Sequence, residues 1–478
     1  MTNKIRKKRL HAAFIGACIF FVTLLTGGLI YQMTRISILP ISYAVAIILA
    51  IIVIFGIGIF LQLRKRIYMK IAGLVLTFLV IAADIEGIYL YENSIKALST
   101  IANQATETTT YGIYVLETSD INSVDELFGK TVGISDDMPD DELSDNELAE
   151  QLTKYDFNLK SYDSQLSLVK GLTSKECDGA ILNSSYVSIL EDPESGENLE
   201  VGLRLLEEVD VSKVVEKPNV VTPEDPFIVY ISGKDTWGHI SVVSRSDVNI
   251  LAVVNPGTKH ILLVSTPRDY YVPLSISNGI KDKLTHAGIY GTDVSEDTME
   301  MLYGIAIDHY FKVNFSGFEG LINAMGGITV WSDYAFDVEN IGHFSKGENH
   351  LNGLAALAFV RERHSFARGD VQRGENQMNV IQSVVQKMTS KSTLINYGDI
   401  MKECDGTFAT DFSTEEIADL VAYQLSNPGE WNIEKMSVSG RGEHNHVYSL
   451  SKTCYVMVPN EEDIAYARER IEEIMNER

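Results

Sequence analysis

Hydrophobic residues fall along this chain in two different patterns. Up to Tyr91 they form three long blocks, Ala12 to Tyr31, Ile41 to Leu63 and Ile71 to Tyr91. Each is close to the roughly 20 apolar residues that cross a bilayer core. The first block lacks a small-residue cleavage site and two more follow it, so it reads as an uncleaved helix and not a signal peptide. From Thr108 to Asp210 short apolar runs alternate with helical spacing. Tyr111–Leu116, Thr131–Ile134 and Gly179–Leu182 read as strands, and Asp145–Leu152 and Ser164–Leu172 as helices, which together suggest an α/β unit. Past Pro226 comes a buried strand, Phe227–Ser232. Two further strands, Val248–Val254 and His260–Ser265, flank Asn255, Pro256 and Gly257, a turn sequence that marks a hairpin. The expected organisation is a membrane anchor over 1–91, a linker over 92–107, an α/β accessory domain over 108–215 and a last domain over 226–478.

Charge divides the chain in the same place. The 478 residues carry 65 acids and 40 bases, a net charge of -25, which argues against a protein that coats nucleic acid. Residues 1–91 hold ten bases and two acids, a net of +8, leaving -33 on the other 387 residues. The bases sit at Lys4 to Arg9 and at Arg64 to Lys70, whereas the Met33–Pro40 loop has only Arg35. By the positive-inside rule the N-terminus and the second loop are cytoplasmic, and three crossings leave everything after Glu92 outside. Asp84 and Glu86 lie inside the third block, where ionisable residues flag function or a pairing between helices. Residues 105–215 hold 25 acids against seven bases, including the run Asp136–Glu150, which reads as a solvated face without calcium-loop spacing. Cys177, Cys404 and Cys454 fall outside the membrane blocks with no metal-binding spacing, and a Cys404–Cys454 bridge is one option beside unpaired thiols.

Candidate chemistry lies in the last domain. A hairpin of this length brings the residues before its first strand and after its second to one rim of the sheet, so Arg245, Asp247 and Arg268 converge, with Asp235 leaving the neighbouring strand. A second cluster follows a hundred residues later. Arg361 and Arg363 share a face if the chain is extended there. Asp370, Arg373 and Gln377 are spaced as one stripe of a helix, with Met378, Ile381, Val384, Val385 and Met388 as the opposing apolar stripe. Guanidinium groups suit a bidentate grip on phosphate oxygens. Carboxylates among them would repel that anion unless a divalent cation sits between, and Mg²⁺ commonly bridges one or two carboxylates and substrate phosphates. Taken singly, each piece also reads as a surface arginine, a helix ion pair or a turn cap. Their joint occurrence points to a magnesium pyrophosphate site.

Two stretches resemble known families. Ser123, Asp125, Leu127, Gly129, Lys130 and Val132, then Leu166, Gly171 and Cys177 to Ala180, resemble half of a periplasmic-binding-protein-like module, which binds a ligand or acts as a spacer. From Phe227 to Ser439 the chain resembles the LytR-CpsA-Psr (LCP) family. The resemblance is carried by Gly233 to Asp235, Arg245 to Asp247, Pro267 to Asp269, Asp308, Asn314, Phe315, Gly326, Gly327, Leu351, Gly353, Arg361, Arg363, Asp370, Arg373, Gln377 and Thr410 to Ser413. Three spans followed by an acidic module look like its CpsA branch, associated with capsule clusters of streptococci. Asp282, Lys283, Leu284, Thr285 and His286 depart from the asparagine- and alanine-rich version of many members.

The resemblance implies an α/β/α domain with a central mixed sheet, a polyprenyl pocket, and transfer of a glycopolymer from a lipid pyrophosphate onto peptidoglycan. Asp235 and Asp247 would hold Mg²⁺. Arg245, Arg268, Arg361, Arg363, Arg373 and Gln377 would bind the pyrophosphate. With Arg268 in the catalytic set, Asp269 and Asp370 would orient the arginines or accept the proton of the attacking hydroxyl, orientation being favoured. Met299–Ile307, Phe315–Met325 and Leu354–Phe359 are candidate pocket walls. The expected activity is an extracytoplasmic phosphotransferase of a Gram-positive cell membrane. It would attach capsular polysaccharide to the wall, with the lipid-linked polymer, peptidoglycan and other capsule-assembly proteins as partners. The alternatives are a regulator that senses lipid-linked glycan, and a polyprenyl pyrophosphate phosphatase using the same site with water.

Overall fold

A computed structural model describes residues 2–102, 106–136, 147–191, 202–214, 221–234, 240–389 and 408–478. They form two compact units, one of residues 1–100 with 413–429 and one of residues 101–412 with 430–478. In the first unit, Arg9–Arg35, Ile41–Gln62 and Ile67–Lys96 are helical, long enough and apolar enough to cross a membrane. Buried polar groups in this bundle are paired between helices. Thr26 donates to Asp84 at 2.9 Å, and Gln62 donates to Thr77 at 2.9 Å. Glu86 is exposed. The third helix continues to Ala102 and a strand opens at Thr106, so the segment expected as a linker over 92–107 is largely regular structure. With neither glycine nor proline between Glu92 and Ala102, nothing local stops the helix.

The second unit holds two large sheets and four two-stranded ones among the described residues. Strands β1 (Thr106–Leu116), β2 (Thr131–Ser135), β3 (Asn158–Tyr162), β4 (Gly179–Asn183) and β5 (Leu203–Val214) form a five-stranded sheet in the order β3-β2-β4-β1-β5. β2 runs parallel to β3 and β4, and β1 antiparallel to β4 and β5. Strand β4, inward on both faces, is buried at every position, as a strand covered on both sides must be. The acidic run lies mostly outside the described residues.

Strands β6 (Phe227–Lys234), β7 (Ser246–Asn255) and β8 (His260–Ser265) form the centre of the six-stranded sheet. Its order is Phe408–Thr410, His309–Val313, β6, β7, β8, Asn432–Ser437, with both parallel and antiparallel neighbours. The hairpin expected at Asn255–Gly257 joins β7 to β8 in antiparallel register, Asn255 opposite His260. The helix Asp370–Met388 lies close to this sheet because position 374 is glycine. A Cβ there would run into Ser265 Oγ. The result is a mixed sheet covered by helices, the α/β architecture anticipated.

The two sheets are not beads on a string. One hydrophobic cluster takes Leu168, Leu182, Tyr186 and Leu190 from the first sheet's layer and Leu274, Ile289, Leu450 and Val456 from the second's. Tyr186, wholly buried, also donates to Ser449 O at 2.8 Å. Cys18, Cys177 and Cys454 are free thiols, and Cys404 lies outside the described residues.

A shared core ties the stability of both sheets together. Truncating Tyr186 to Ala should cost about 3–5 kcal/mol, as for other large buried aromatics. Hydrogen exchange read by mass spectrometry should then rise in β4 and in Leu450–Pro459 alike. An increase confined to β4 would show that the two sheets open separately.

Candidate active site

A cavity of about 660 Å³ opens beside the six-stranded sheet. Its body is apolar, walled by Phe311 and Val313 from the sheet, Phe315, Phe318 and Leu321 from the helix Phe315–Ala324, Leu354 and Leu357 from Gly353–Arg361, and Val380, Ile381 and Val384 from Asp370–Met388. Two of the three helical segments expected as pocket walls therefore line it. The third, Met299–Ile307, does not: Met299, Tyr303 and Ile307 belong to the hydrophobic core elsewhere, packed with Leu251, Val264 and Ile464. Nor do Ile381 and Val384 oppose the Gln377 stripe. They lie four and seven residues beyond it, on the same helical face, and share the cavity with it.

The polar lining is Lys234, Asp247, Arg268, Asn314, Arg361, Glu362, Arg363, His364, Arg373 and Gln377. These side chains come from six separate places in the sequence, and carboxylates link the arginines among them. Arg268 Nη1 donates to Asp247 Oδ2 at 2.7 Å. Arg373 Nη2 lies 3.5 Å from Asp247 O and 3.0 Å from Asp370 Oδ1. Arg363 Nη1 is 3.9 Å from the same Asp370 oxygen, and Arg268 Nε is 3.9 Å from Asp269 Oδ2. Gln377 donates to Val360 O at 3.3 Å. Arg361 and Arg363 reach the cavity by a different route from the extended one anticipated. Arg361 ends a helix, with its guanidinium 4.3 Å above the Phe315 ring, and the chain turns extended only at Glu362.

Of the remaining anticipated residues, Asp235 lies outside the described residues, and Arg245 acts electrostatically on Asp247 without lining the cavity. Arg368, close by in the sequence but not in the cavity lining, is exposed and paired with Glu375 at 2.7 Å. Composition gave no hint of Lys283, which holds Asp269 at 3.1 Å, or of Thr285, which donates to Asp247 Oδ1 at 3.1 Å. Both come from the segment that departs from the usual family pattern. Asp282 anchors that segment, accepting from Ser449 N at 3.0 Å and lying 2.7 Å from His286 Nδ1.

The carboxyls are shifted in different directions. Burial pushes Asp247 up, but Arg268, Arg373 and Arg245 outweigh it and hold the group below its ordinary value. Asp269 is likewise raised by burial and brought below its ordinary value by Lys283 and Arg268. Asp370 goes the other way, because burial and the neighbouring Asp269 charge exceed the pull of Arg373, Arg268 and Arg363. The pair act on each other: Asp370 hydrogen-bonds Asp269 and helps to lower it, while the Asp269 charge raises Asp370. Deeper in, burial and Lys312 push Lys234 down to about 7 against the pull of Glu107. Glu107 is itself brought to about 2 by Lys312 and Lys234 despite its burial.

Among the described residues no three of His, Cys, Asp and Glu lie close enough to enclose a metal. Mg²⁺ does not require such a cage, since it usually keeps several waters and takes one or two carboxylates plus substrate phosphates. Asp247 meets that need: it is ionised, lines the cavity, and accepts one bond on each oxygen, leaving a lone pair on each.

The opposite shifts within the carboxyl pair have a measurable sign. A carboxyl with a depressed value adds stability above its unfolded value, near pH 4, and loses it as pH falls through its folded value. Asp269→Asn strands Lys283 and should cost about 3 kcal/mol at pH 7. Denaturant unfolding at a series of pH values should show that deficit shrinking below about pH 4. Asp370→Asn, which removes a carboxyl that its surroundings raise instead of lower, should cost clearly less than Asp269→Asn at pH 7. Equal costs would overturn the opposite directions of the pair.

The family model described as LytR_cpsA_psr family matches residues 201–467. The polyisoprenyl-teichoic acid–peptidoglycan teichoic acid transferase TagU of Bacillus subtilis is 35% identical over 215 residues, which are 45% of this chain and 69% of that protein. The transferase of the same name from Halalkalibacterium halodurans is 31% identical over 245 residues, 51% of this chain and 77% of that protein. The crystal structure of B. subtilis TagV covers 53% of this chain and 98% of its own, at 28% identity and a TM-score of 0.45. With more than half of its length matched by the family model, this chain belongs to the LytR-CpsA-Psr family.

Proposed function

We propose that this chain is a membrane-anchored phosphotransferase that moves a glycopolymer from a polyprenyl pyrophosphate carrier onto peptidoglycan, the polymer being capsular polysaccharide. One observation carries the reading: an apolar cavity whose polar lining is a cluster of arginines interleaved with acids. Such a cavity suits a ligand with a long hydrocarbon and a doubly anionic head. The TagU relatives, named as transferases from polyisoprenyl carriers to peptidoglycan, support the reaction class. The capsule assignment rests on the three spans and the acidic module, a layout resembling the CpsA branch. The cationic N-terminus and second loop support an orientation with the catalytic sheet outside the cell.

In this reading the acceptor hydroxyl attacks the phosphorus that bears the glycan. The bond from that phosphorus to the bridging oxygen breaks, leaving polyprenyl phosphate. Arg268, Arg361, Arg363 and Arg373 hold the pyrophosphate oxygens and neutralise charge as it shifts to the bridge, the main work of a phosphoryl-transfer site. Arg268 Nε, buried without an acceptor among the described residues, is a donor left for such an oxygen. Asp370 and Asp269 fix Arg373, Arg363 and Arg268 in place. Mg²⁺ held by Asp247 and Asp235 would add further neutralisation of the pyrophosphate.

Arg268→Ala should lower transfer of a lipid-linked polymer to peptidoglycan by about 100-fold or more, at unchanged protein level, and remove wall-linked polymer from cells. Chelation of divalent cations should abolish transfer by the unaltered chain and be reversed by Mg²⁺. Wall attachment that persists in the variant, with altered polymer amount or length, would instead make the chain a regulator. Release of inorganic phosphate without any polymer–peptidoglycan product would make it a phosphatase.

A further inference from the structure

Ser241–Val243 lead into Arg245 and into β7, which carries Asp247, and this segment is held by the other sheet. Thr108, on β1, donates from its N–H to Ser241 O at 3.0 Å and accepts at its carbonyl from Val243 N–H at 3.1 Å, a parallel bridge opposite Val242. Ser185, following β4, donates to Val243 O at 2.5 Å. Three hydrogen bonds from the first sheet thus clamp Ser241–Val243, two residues before Arg245.

The residue next to Thr108 locks β1 itself in place. Glu107 is buried, and its carboxylate lies 2.5 Å from Lys312 Nζ on the strand His309–Val313. It also accepts from the N–H of Thr292 at 2.9 Å and from the Thr292 hydroxyl. Thr292 opens the helix Thr292–Tyr303, whose N-cap is Gly291 and so has no side chain to cap the first turn. An acid from another sheet does the capping and meets the positive end of the helix. Lys234, at the end of β6 and lining the cavity, donates to Val242 O at 2.9 Å, so the clamped segment also touches the site's own floor.

We propose that Glu107 and Thr108 are positioning residues for the pyrophosphate site, holding through Ser241–Val243 the segment that leads into Arg245 and Asp247. The N-terminal sheet is in this sense a part of the catalytic apparatus and not a spacer. The inference rests on the reading of the arginine-lined cavity as a pyrophosphate site.

The test uses the full-length chain in detergent with two probes, geranylgeranyl pyrophosphate and the uncharged geranylgeraniol. Glu107→Ala should weaken binding of the pyrophosphate by about tenfold and leave binding of the alcohol unchanged, because the apolar walls are untouched. Glu107→Ala also leaves Lys312 buried without its carboxylate, so a loss of fold is controlled by a second variant. Glu107→Ala with Lys312→Met removes that charge and should restore the melting temperature without restoring pyrophosphate affinity. Recovery of affinity together with stability would overturn the inference, as would unchanged pyrophosphate binding in Glu107→Ala. Failure of the unaltered chain to bind the pyrophosphate would overturn the functional reading and this inference with it, whereas normal binding by both chains overturns the inference alone.

Discussion

The constraint on which this structure turns is electrostatic: four guanidinium groups line one cavity whose body is apolar. Like charges that close repel, and an apolar wall deprives them of the water that would screen them. The fold answers with alternation. Asp247 stands between Arg268 and Arg373, Asp370 between Arg373 and Arg363, and Asp269 between Arg268 and Lys283. The four arginines and Lys283 outnumber Asp247, Asp269 and Asp370, which leaves the cluster net positive without surrendering any arginine. The cluster is thus assembled in advance for an anion, with little reorganisation left to the moment of reaction.

The alternation demands rigidity, and rigidity comes from beyond the site's own sheet. The segment Asp282–His286 fixes two of the acids through Lys283 and Thr285 and is tied down through Asp282 and Ser449. A common hydrophobic core joins the N-terminal sheet to that same region through Tyr186 and Ser449. Glu107 and Lys312 add a buried ion pair across the junction. Such pairs contribute little net stability but specify one arrangement of the parts they join.

Local patterns in the chain were legible where neighbours in sequence are neighbours in space. The apolar blocks, the Asn255–Gly257 hairpin and the Asp370, Arg373, Gln377 stripe all answer to the repeat of a helix or a strand, so the apposition of Arg268 to Asp247 was visible before any coordinates. The errors arose where a repeat does not say which side faces what. Ile381 and Val384 were placed opposite Gln377 although they line the same cavity, because an apolar face can border a cavity as well as a core. Met299–Ile307 was apolar enough to wall a lipid pocket and packs in the core instead.

Sequence by itself determined the class of protein: three membrane-length helices, an acidic ectodomain and a set of arginines and acids in an order that marks a family. It could do so because hydrophobic length, strand alternation and motif order are one-dimensional properties. Only the tertiary structure decided which carboxyl is raised and which lowered, that Lys283 and Thr285 serve the site, and that Glu107 reaches 205 residues along the chain to Lys312. Charge state and ion pairing depend on burial and on distances through space, and neither is written in the spacing of residues along a chain.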